Sequence, residues 1–182
     1  MTDQEISKLA LKFRKAIEAA RDADRFTSDF SFRKFPHGCC GDTSYLLAEY
    51  LKEHGFETVW VSTSREDWSH AWLVLKDGRV EEPTPRIVEW PEEIQTIIKG
   101  YGVKEQEPPV DITQYEEEDI TGGLIIDITS DQFDDCNERV YVGCIDSFHR
   151  SFDFIQAHDY DGLSDYNGRL RRLYRIVQQY IE

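Results

Sequence analysis

Three segments of the chain repeat apolar residues at intervals of three and four, the period of an amphipathic α-helix. They occupy residues 3–22, about 41–54 and 166–181. Gly55 follows the second segment directly and is well placed to end that helix as a left-handed cap. The pattern therefore predicts three helices, two of which lie near the ends of the chain.

Between the second and third helices, the pattern changes to short runs of β-branched and aromatic residues, which are typical of strands. An Asp77-Gly78 pair follows one of these runs and is a signal for a hairpin turn. Because strands and helices do not alternate regularly, the sequence predicts an α+β fold with an antiparallel sheet. The predicted strands are FETVWVST (56–63), HAWLVL (70–75), GGLIIDIT (122–129) and RVYVGCI (139–145).

Residues 81–122 depart from this pattern and hold every proline of the chain except Pro36. The segment is acidic, and a short helix is plausible at Pro91–Lys99. We interpret the segment as an insertion between two strands, either a lid over a site or a solvated excursion. The whole chain, 1–182, is then expected to form a single domain with an acidic, proline-containing insertion at about 81–122.

The composition limits the classes of partner. The chain of 182 residues is 40% hydrophobic, enough for a core without disulfide or metal staples. Its formal net charge of −15 repels nucleic acid phosphates and anionic membranes. The short basic patch RLRRLYR (169–175) is expected to decorate a solvated face. We therefore expect neither nucleic acid nor membrane as a partner.

The N-terminus has no signal-peptide pattern, and no apolar run approaches the ~18–20 residues that span a bilayer. These observations predict a cytoplasmic protein. The four cysteines are then expected to be reduced, because cytosolic thiols seldom form stable disulfides.

The stretch FPHGCCGDTSYLL (35–47) places two adjacent cysteines directly before a predicted helix. A nucleophilic cysteine needs a populated thiolate, which a helix N-terminus and a nearby histidine favour. Cys40 stands at the start of the helix, and the flanking Gly38 and Gly41 would let a substrate approach the backbone. A small buried hydrophobic residue is the commoner role for an isolated cysteine, and Cys39 remains an alternative nucleophile.

Two polar residues in apolar strands suggest partners for this thiol. His70 begins the run SHAWLVL, and Asp127 interrupts LIIDIT. Each has an ordinary explanation by itself: a strand-end histidine with satisfied hydrogen bonds, or an aspartate facing solvent on an edge strand. The joint order of cysteine, histidine and aspartate is one that nucleophilic catalysis can use, with the carboxylate orienting the imidazole.

Asp42 has two opposing effects on the site. Its position in the first helical turn suits the helix dipole. Its negative charge also lies near the thiol and works against a lowered pKa of Cys40. The sequence leaves the net effect on the Cys40 thiol open.

The segments GCCGDTSYLLAEYL, SHAWLVL and GLIIDITSDQF together resemble the transglutaminase-like branch of the papain-like cysteine hydrolase superfamily, which includes leader-processing peptidases of lasso peptide pathways. The resemblance covers residues 35–75 and 122–133. It implies a papain-like core in which the nucleophile helix packs on an antiparallel sheet, with extra N- and C-terminal helices. It also implies Cys40 as nucleophile, His70 as base and acid, and Asp127 as the orienting group.

The chain departs from that family in two respects. The strands that carry the histidine and the aspartate are usually joined by a short turn, whereas a long segment separates them here. No glutamine or asparagine occurs in residues 26–39, where papain places its oxyanion-hole glutamine. The oxyanion would therefore need the backbone amide of Cys40 and a second donor, for which Trp60 and Gln132 are the candidates.

The sequence therefore predicts a cysteine-dependent acyl-transfer enzyme acting on a protein or peptide, without a cofactor or metal. Peptidase, amidase, deamidase and transglutaminase chemistry all use this triad. Hydrolysis of an amide bond is the first expectation, because water is the default acceptor.

Two other classes remain open. A metal site would use His37, Cys39, Cys40 and His70, although adjacent cysteines rarely bind one tetrahedral ion without strain. A non-catalytic protein-binding module would instead present the exposed aromatic residues of the acidic segment to a basic partner. Those aromatic residues are Trp90, Tyr101 and Tyr115.

Overall fold

The computed structural model describes residues 3–83, 86–87, 110–111, 114–163 and 168–181. Within these ranges, the α-helices are α1 (Asp3–Asp22), α2 (Phe30–Arg33), α3 (Cys40–Glu53), α4 (Glu117–Ile120) and α5 (Arg169–Gln178). The strands are β1 (Thr58–Arg65), β2 (Trp68–Leu75), β3 (Arg86–Ile87), β4 (Val110–Asp111), β5 (Gln114–Tyr115), β6 (Leu124–Asp127), β7 (Tyr141–Gly143) and β8 (Asp153–Asp159). Short 3₁₀ helices occupy Ser130–Gln132 and His149–Ser151.

Six of these strands form one sheet in the order β5-β8-β1-β2-β6-β7, while β3 and β4 pair separately. Every neighbouring pair in the six-stranded sheet is antiparallel. The structure thus confirms the predicted α+β class with an antiparallel sheet. The three predicted helices are also present, and Gly55 follows α3 in the left-handed region with φ +83°.

The tight hairpin of the sheet lies at a different place from the predicted one. β1 and β2 pair from Thr58 opposite Leu75 to Arg65 opposite Trp68, so the connecting turn is formed by residues 66 and 67. Glu66 adopts a left-handed φ of +54° there. The Asp77-Gly78 turn instead leads the chain out of the sheet after β2, so its interpretation as a hairpin turn was wrong.

One face of the sheet carries a large apolar core beneath α1, α3 and α5. Because strand side chains alternate, Leu73 and Leu75 of β2 share this face with Leu124 and Ile126 of β6. They meet helix residues such as Phe13, and all five side chains are at most 8% exposed. Each fully buried side chain of this size contributes roughly 1.5–3 kcal/mol, which holds the helical layer against the sheet.

The opposite face carries a second apolar cluster that includes Val61, Trp72, Ile125 and Phe152. By the same alternation, His70 projects from this face, two residues before Trp72. Asp127 also lies on it, two residues after Ile125. The sheet therefore places the histidine and the aspartate in one row, on the side away from the helical core.

The later end of the 81–122 segment belongs to the main sheet. Its residues Gln114 and Tyr115 pair with β8 as an edge strand. Tyr115 is buried, and its hydroxyl donates a hydrogen bond of 2.8 Å to Asp159. The expectation that Tyr115 is an exposed aromatic residue was therefore wrong. Trp90, Tyr101 and the predicted helix at Pro91–Lys99 lie outside the described residues.

β8 was not among the predicted strands, although it lies inside the sheet between β5 and β1. Its residues, DFIQAHD, include four polar side chains, and only Ala157 is buried. Pattern alone therefore gave no strand signal there.

Among the described helices, none has both the length and the apolar character needed to cross a membrane.

Candidate active site

Cys40 is the first residue of α3 and lies beside the beginning of β2. Gly38 adopts a left-handed φ of +68° as the chain enters the helix, a conformation that favours glycine. The Cys40 Sγ lies 3.9 Å from the carbonyl oxygen of Ser69. The first backbone N–H groups of a helix have no acceptor within it, so this end of α3 carries partial positive charge that favours a thiolate.

His70 and Asp127 form a buried hydrogen-bonded pair. The distance between His70 Nε2 and Asp127 Oδ2 is 2.7 Å, and each residue is 1% exposed. The other carboxylate oxygen accepts hydrogen bonds from the Thr129 backbone N–H at 2.8 Å and from its hydroxyl at 3.2 Å. These donors compensate the cost of burying a carboxylate. The solvent-facing edge-strand alternative for Asp127 was wrong, because β6 lies between β2 and β7.

The pair shifts the pKa values of both partners in opposite directions. Burial alone would lower the pKa of His70, but the charge and hydrogen bond of Asp127, together with Cys40, raise it to about 9. Burial alone would raise the pKa of Asp127, but the positive charge of His70, its hydrogen bond and the nearby His149 imidazole hold it well below its usual range. The imidazolium and carboxylate forms therefore stabilise each other.

The Cys40 thiol has a lowered pKa. Burial opposes ionisation of the thiol, but a hydrogen bond with His70 and the positive charge of that imidazole outweigh it. The backbone N–H of Ala71 and the side chain of Gln132 add to the lowering. These contacts favour the thiolate form of Cys40 relative to an ordinary buried thiol.

The Cys39 thiol has the opposite property. Its side chain is 3% exposed, and burial raises the pKa to about 12. The sulfur donates to the carbonyl oxygen of Pro36 at 3.4 Å and accepts from the Thr43 hydroxyl at 3.5 Å. These contacts place Cys39 in the helical core rather than beside His70.

Gln132 reaches the site from the 3₁₀ helix that follows β6. Its Oε1 accepts a hydrogen bond from the Gly38 backbone N–H at 3.2 Å, so its amide nitrogen must point the other way. That nitrogen lies 3.2 Å from His70 Nδ1, which can accept its hydrogen only while Nδ1 is deprotonated, as it is once the imidazole has given up that proton. The same amide contributes to the lowered pKa of Cys40. Gln132 thus presents an N–H donor beside the thiol, on the side of the sheet that carries His70.

Trp60, the other candidate donor, belongs to β1, and its ring packs against the first turn of α3. A Cβ atom at Gly41 would be 3.8 Å from its ring, and the ring stacks on Tyr45 with centroids 5.2 Å apart. Its indole Nε1 is buried and has no hydrogen-bond partner among the described residues. The structure therefore groups Cys40, His70, Asp127 and Gln132, with Trp60 against the neighbouring residue Gly41.

His149 is a further buried polar residue at the site and was not among the residues predicted from the sequence. Its Nε2 lies 3.4 Å from Asp127 Oδ2, and its Nδ1 lies 2.7 Å from Asp146 Oδ1. The residue is 2% exposed. The surrounding sequence, DSFHRSF, shows neither helical nor strand periodicity, so no sequence signal linked it to Asp127.

Aromatic rings surround the His70 imidazole. Arg65 covers Phe152, with its guanidinium carbon 4.5 Å from the ring centroid, and binds Asp135 at 2.7 Å. This enclosure limits access of water to the His70–Asp127 hydrogen bond, which strengthens it electrostatically. The rings within 5.0–6.2 Å of the imidazole are Trp72, Phe133, Phe148 and Phe152.

The charge of Asp42 is compensated by a residue distant in sequence. Arg169 Nη1 lies 2.7 Å from Asp42 Oδ2, and the same guanidinium binds Asp29 at 2.7 Å. Arg169 therefore joins the start of α5 to the starts of α2 and α3. The expectation that residues 169–175 merely decorate a solvated face was wrong for Arg169, whose charge offsets that of Asp42 in the first turn of α3.

The described residues contain no group of three or more His, Cys, Asp or Glu side chains arranged to hold a metal ion. Within the described residues, the side chains considered as metal ligands lie in different surroundings. Cys39 faces the core, whereas His70 binds Asp127.

Comparison with known proteins gave no match to a family model, to a curated protein or to a solved structure.

Proposed function

We propose that this protein is a cysteine-dependent acyl-transfer enzyme with a transglutaminase-like, papain-like core, and that hydrolysis of an amide bond is its main reaction. One observation carries the proposal: the His70 imidazole binds the buried Asp127 at 2.7 Å and lowers the pKa of the Cys40 thiol. The Cys40 thiol has a lowered pKa, and the His70 imidazole has a raised pKa. Such opposed shifts at one cluster are the signature of a nucleophile paired with its acid and base.

The first half of the reaction follows from this arrangement. The Cys40 thiolate attacks the substrate carbonyl carbon and forms the C–S bond, while the carbonyl π electrons move to the oxygen. When this intermediate collapses, the C–N bond breaks and His70 gives its Nδ1 proton to the leaving amine. Asp127 holds Nε2 throughout, so that Nδ1 faces the sulfur. The product is a thioester on Cys40.

The second half restores the enzyme. Neutral His70 removes a proton from water, and the resulting hydroxide attacks the thioester carbonyl. The C–S bond then breaks, the acid product leaves, and Cys40 and His70 return to the thiolate–imidazolium pair. An amine in place of water would give transamidation with the same residues.

Two groups are placed to stabilise the oxyanion. The backbone N–H of Cys40 lies at the start of α3, where it has no intrahelical acceptor. The amide nitrogen of Gln132 is oriented by Gly38 toward the same sulfur. A polarising donor of this kind contributes about 10²–10³-fold to acyl transfer.

A polypeptide substrate is supported by the surface next to the thiol. Trp68 is 66% exposed and is adjacent to Ser69, whose carbonyl oxygen lies 3.9 Å from the Cys40 sulfur. Exposed tryptophan side chains commonly anchor bound polypeptides.

The proposal is tested with p-nitrophenyl acetate as an acyl donor and with a set of fluorogenic peptide amides. We expect a burst of nitrophenol, one acetyl group on Cys40 by mass, and turnover that the Cys40→Ala variant lacks. Cys39→Ala is the matched control and should retain the burst. Adding hydroxylamine as an acceptor should release a hydroxamate and so measure transfer. Acetylation of Cys40 no faster than that of the exposed Cys144 would overturn the proposal.

A further inference from the structure

We propose that His149 is a positioning residue that carries a hydrogen on each ring nitrogen and offsets part of the Asp127 charge acting on His70. The inference rests on the proposed function, because it assigns a role in tuning the proposed acid and base. His149 does not face the Cys40 sulfur. It acts through the carboxylate that binds His70.

The geometry places one imidazole between two carboxylates. Asp146 Oδ1 accepts from the His149 Nδ1 at 2.7 Å and from its backbone N–H at 3.0 Å. On the other side, His149 Nε2 is 3.4 Å from the Asp127 oxygen that binds His70 at 2.7 Å. Asp127 Oδ2 therefore contacts two imidazoles, that of His70 at hydrogen-bonding distance and that of His149 at a longer distance.

The hydrogen positions follow from the acceptors. An ionised carboxylate only accepts hydrogen bonds, so the Nδ1 of His149 must carry the hydrogen that Asp146 receives. If Nε2 had no hydrogen, its lone pair would face the lone pairs of Asp127 in a buried site, which is unfavourable. A hydrogen on Nε2 removes this repulsion. This nitrogen makes no hydrogen bond among the described residues, so its 3.4 Å approach to Asp127 is an ionic contact rather than a hydrogen bond.

The charge balance of the cluster supports the same assignment. Asp127 and Asp146 both have a lowered pKa, and contacts with His149 contribute in both cases. The Tyr141 ring centroid lies 4.7 Å from that of His149. The remaining charged groups that line the adjoining cavity together with His149 are Glu117 and Arg150.

Loss of this charge should increase the proton affinity of His70. With His149 cationic, Asp127 divides its attraction between two imidazolium groups. Without it, the full carboxylate charge acts on His70, which then holds its proton more tightly and donates it less readily to a leaving amine. His149 is thereby inferred to set the acid strength of His70.

The test uses the full-length protein labelled with ¹⁵N-histidine, in the wild type and in His149→Gln. Glutamine retains an N–H donor near the position of Nε2 but carries no charge. We expect both ring nitrogens of His149 to show bound hydrogens at pH 7, and the titration of His70 to move upward by about half a pH unit or more in the variant. The iodoacetamide profile of Cys40 should shift in the same direction at its alkaline inflection.

Ile125→Val is the matched control for lost packing, because Ile125 lies on the same strand and face as Asp127. It should lower stability without moving the His70 titration. A bare His149 ring nitrogen at pH 7, or equal His70 titrations in the wild type and His149→Gln, would overturn the inference. These readouts need no substrate, so the inference can fail while Cys40 still forms an acyl enzyme. Equally, acyl transfer can fail while His149 behaves as proposed.

Discussion

Cys39 and Cys40 are adjacent in the chain, yet their surroundings give them opposite chemical properties. Cys39 lies in the core, bonded to Pro36 and Thr43, and burial raises its pKa to about 12. Cys40 lies beside β2, where the His70 imidazole outweighs burial and lowers its pKa. Burial opposes ionisation of both thiols, although Cys39 is buried and Cys40 is only half-buried. The imidazole of His70 beside Cys40 reverses the direction of its pKa shift.

The difference arises from the helix start between the two residues. Successive side chains of an α-helix are about 100° apart, so two neighbouring residues at its first turn point to different surroundings. Cys39 caps α3 and turns inward, whereas Cys40 begins the helix and faces the sheet. A shift of one residue in the helix boundary would exchange these environments.

Replacing each cysteine in turn should reveal this difference between the two thiols most strongly. We expect Cys40→Ala to reduce acyl-enzyme formation by at least about 10³-fold, because the nucleophile is lost. Cys39→Ala should leave the rate within about twofold. The measurement is iodoacetamide labelling and acetylation at pH 7, with fragment-ion spectra to separate the adjacent positions. Equal losses in both variants would show that the two thiols are not chemically distinct.

Removing the cation should make the two thiols more alike. In His70→Ala, burial of the Cys40 thiol is no longer opposed by an imidazolium, so its pKa should rise above the ordinary value of about 8.5. We expect labelling of Cys40 at pH 6 to slow by about 100-fold, while Cys39 stays unreactive. His37→Ala is the control, because His37 is exposed and only three residues before Cys40. A comparable slowing of Cys40 labelling in His37→Ala would point to a general effect of removing a histidine.

Asp127→Asn tests the source of the raised pKa of His70. Without the carboxylate charge, this pKa should fall from about 9 toward the ordinary value of about 6.5. Because the folded value is raised, the His70 contribution to stability is complete below about pH 6.5 and is lost as pH rises through about 9. The wild-type free energy of unfolding should therefore fall across that window, and the variant should lack this slope.

Urea unfolding at several pH values measures this effect. Asp135→Asn is the control, since Asp135 pairs with Arg65 near the surface and does not bind His70. If Asp135→Asn removes the slope and Asp127→Asn keeps it, the assignment to the buried pair is wrong.

The smallest expected effect concerns the pH dependence of stability due to Cys39. An acid with a raised folded pKa contributes stability that is complete below its unfolded pKa of about 8.5 and is lost as pH rises toward about 12. The lowered pKa of Cys40 has the opposite sign: its contribution is present above about pH 8.5 and is lost as pH falls through the folded value.

Between pH 8.5 and 9.5, the free energy of unfolding of the wild type should fall by about 1 kcal/mol more than that of Cys39→Ala, as measured by urea unfolding. The comparison of this variant with the wild type isolates Cys39, because the other titrating groups are shared. An identical pH slope in both proteins would mean that the Cys39 thiol ionises normally in the folded state.

Much of the site was readable from local sequence patterns. The apolar periodicity located α3, and therefore placed Cys40 at a helix start. His70 and Asp127 stood out because polar residues in apolar strands need partners. Gln132 was named as one of two donors, and the structure shows its amide oriented by Gly38. Each of these predictions used a regular element with a clear period.

The features that the sequence did not reveal have no such period. β8 contains mostly polar residues, and its place inside the sheet depends on long-range pairing with β1 and β5. His149 lies on a short 3₁₀ helix, and only the fold brings it to Asp127. Arg169 likewise meets Asp42 from the other end of the chain. These contacts join distant residues, so no local pattern encodes them.

The sequence by itself determined the α+β class, the helix that begins at the cysteine pair, and the order of cysteine, histidine and aspartate along the chain. Only the tertiary structure decided which thiol meets the imidazole, because a side-chain direction depends on where α3 begins and what packs beside it. It also decided the charge state that the site favours. Electrostatic shifts depend on distances between groups from separate elements, and those distances exist only in the folded chain.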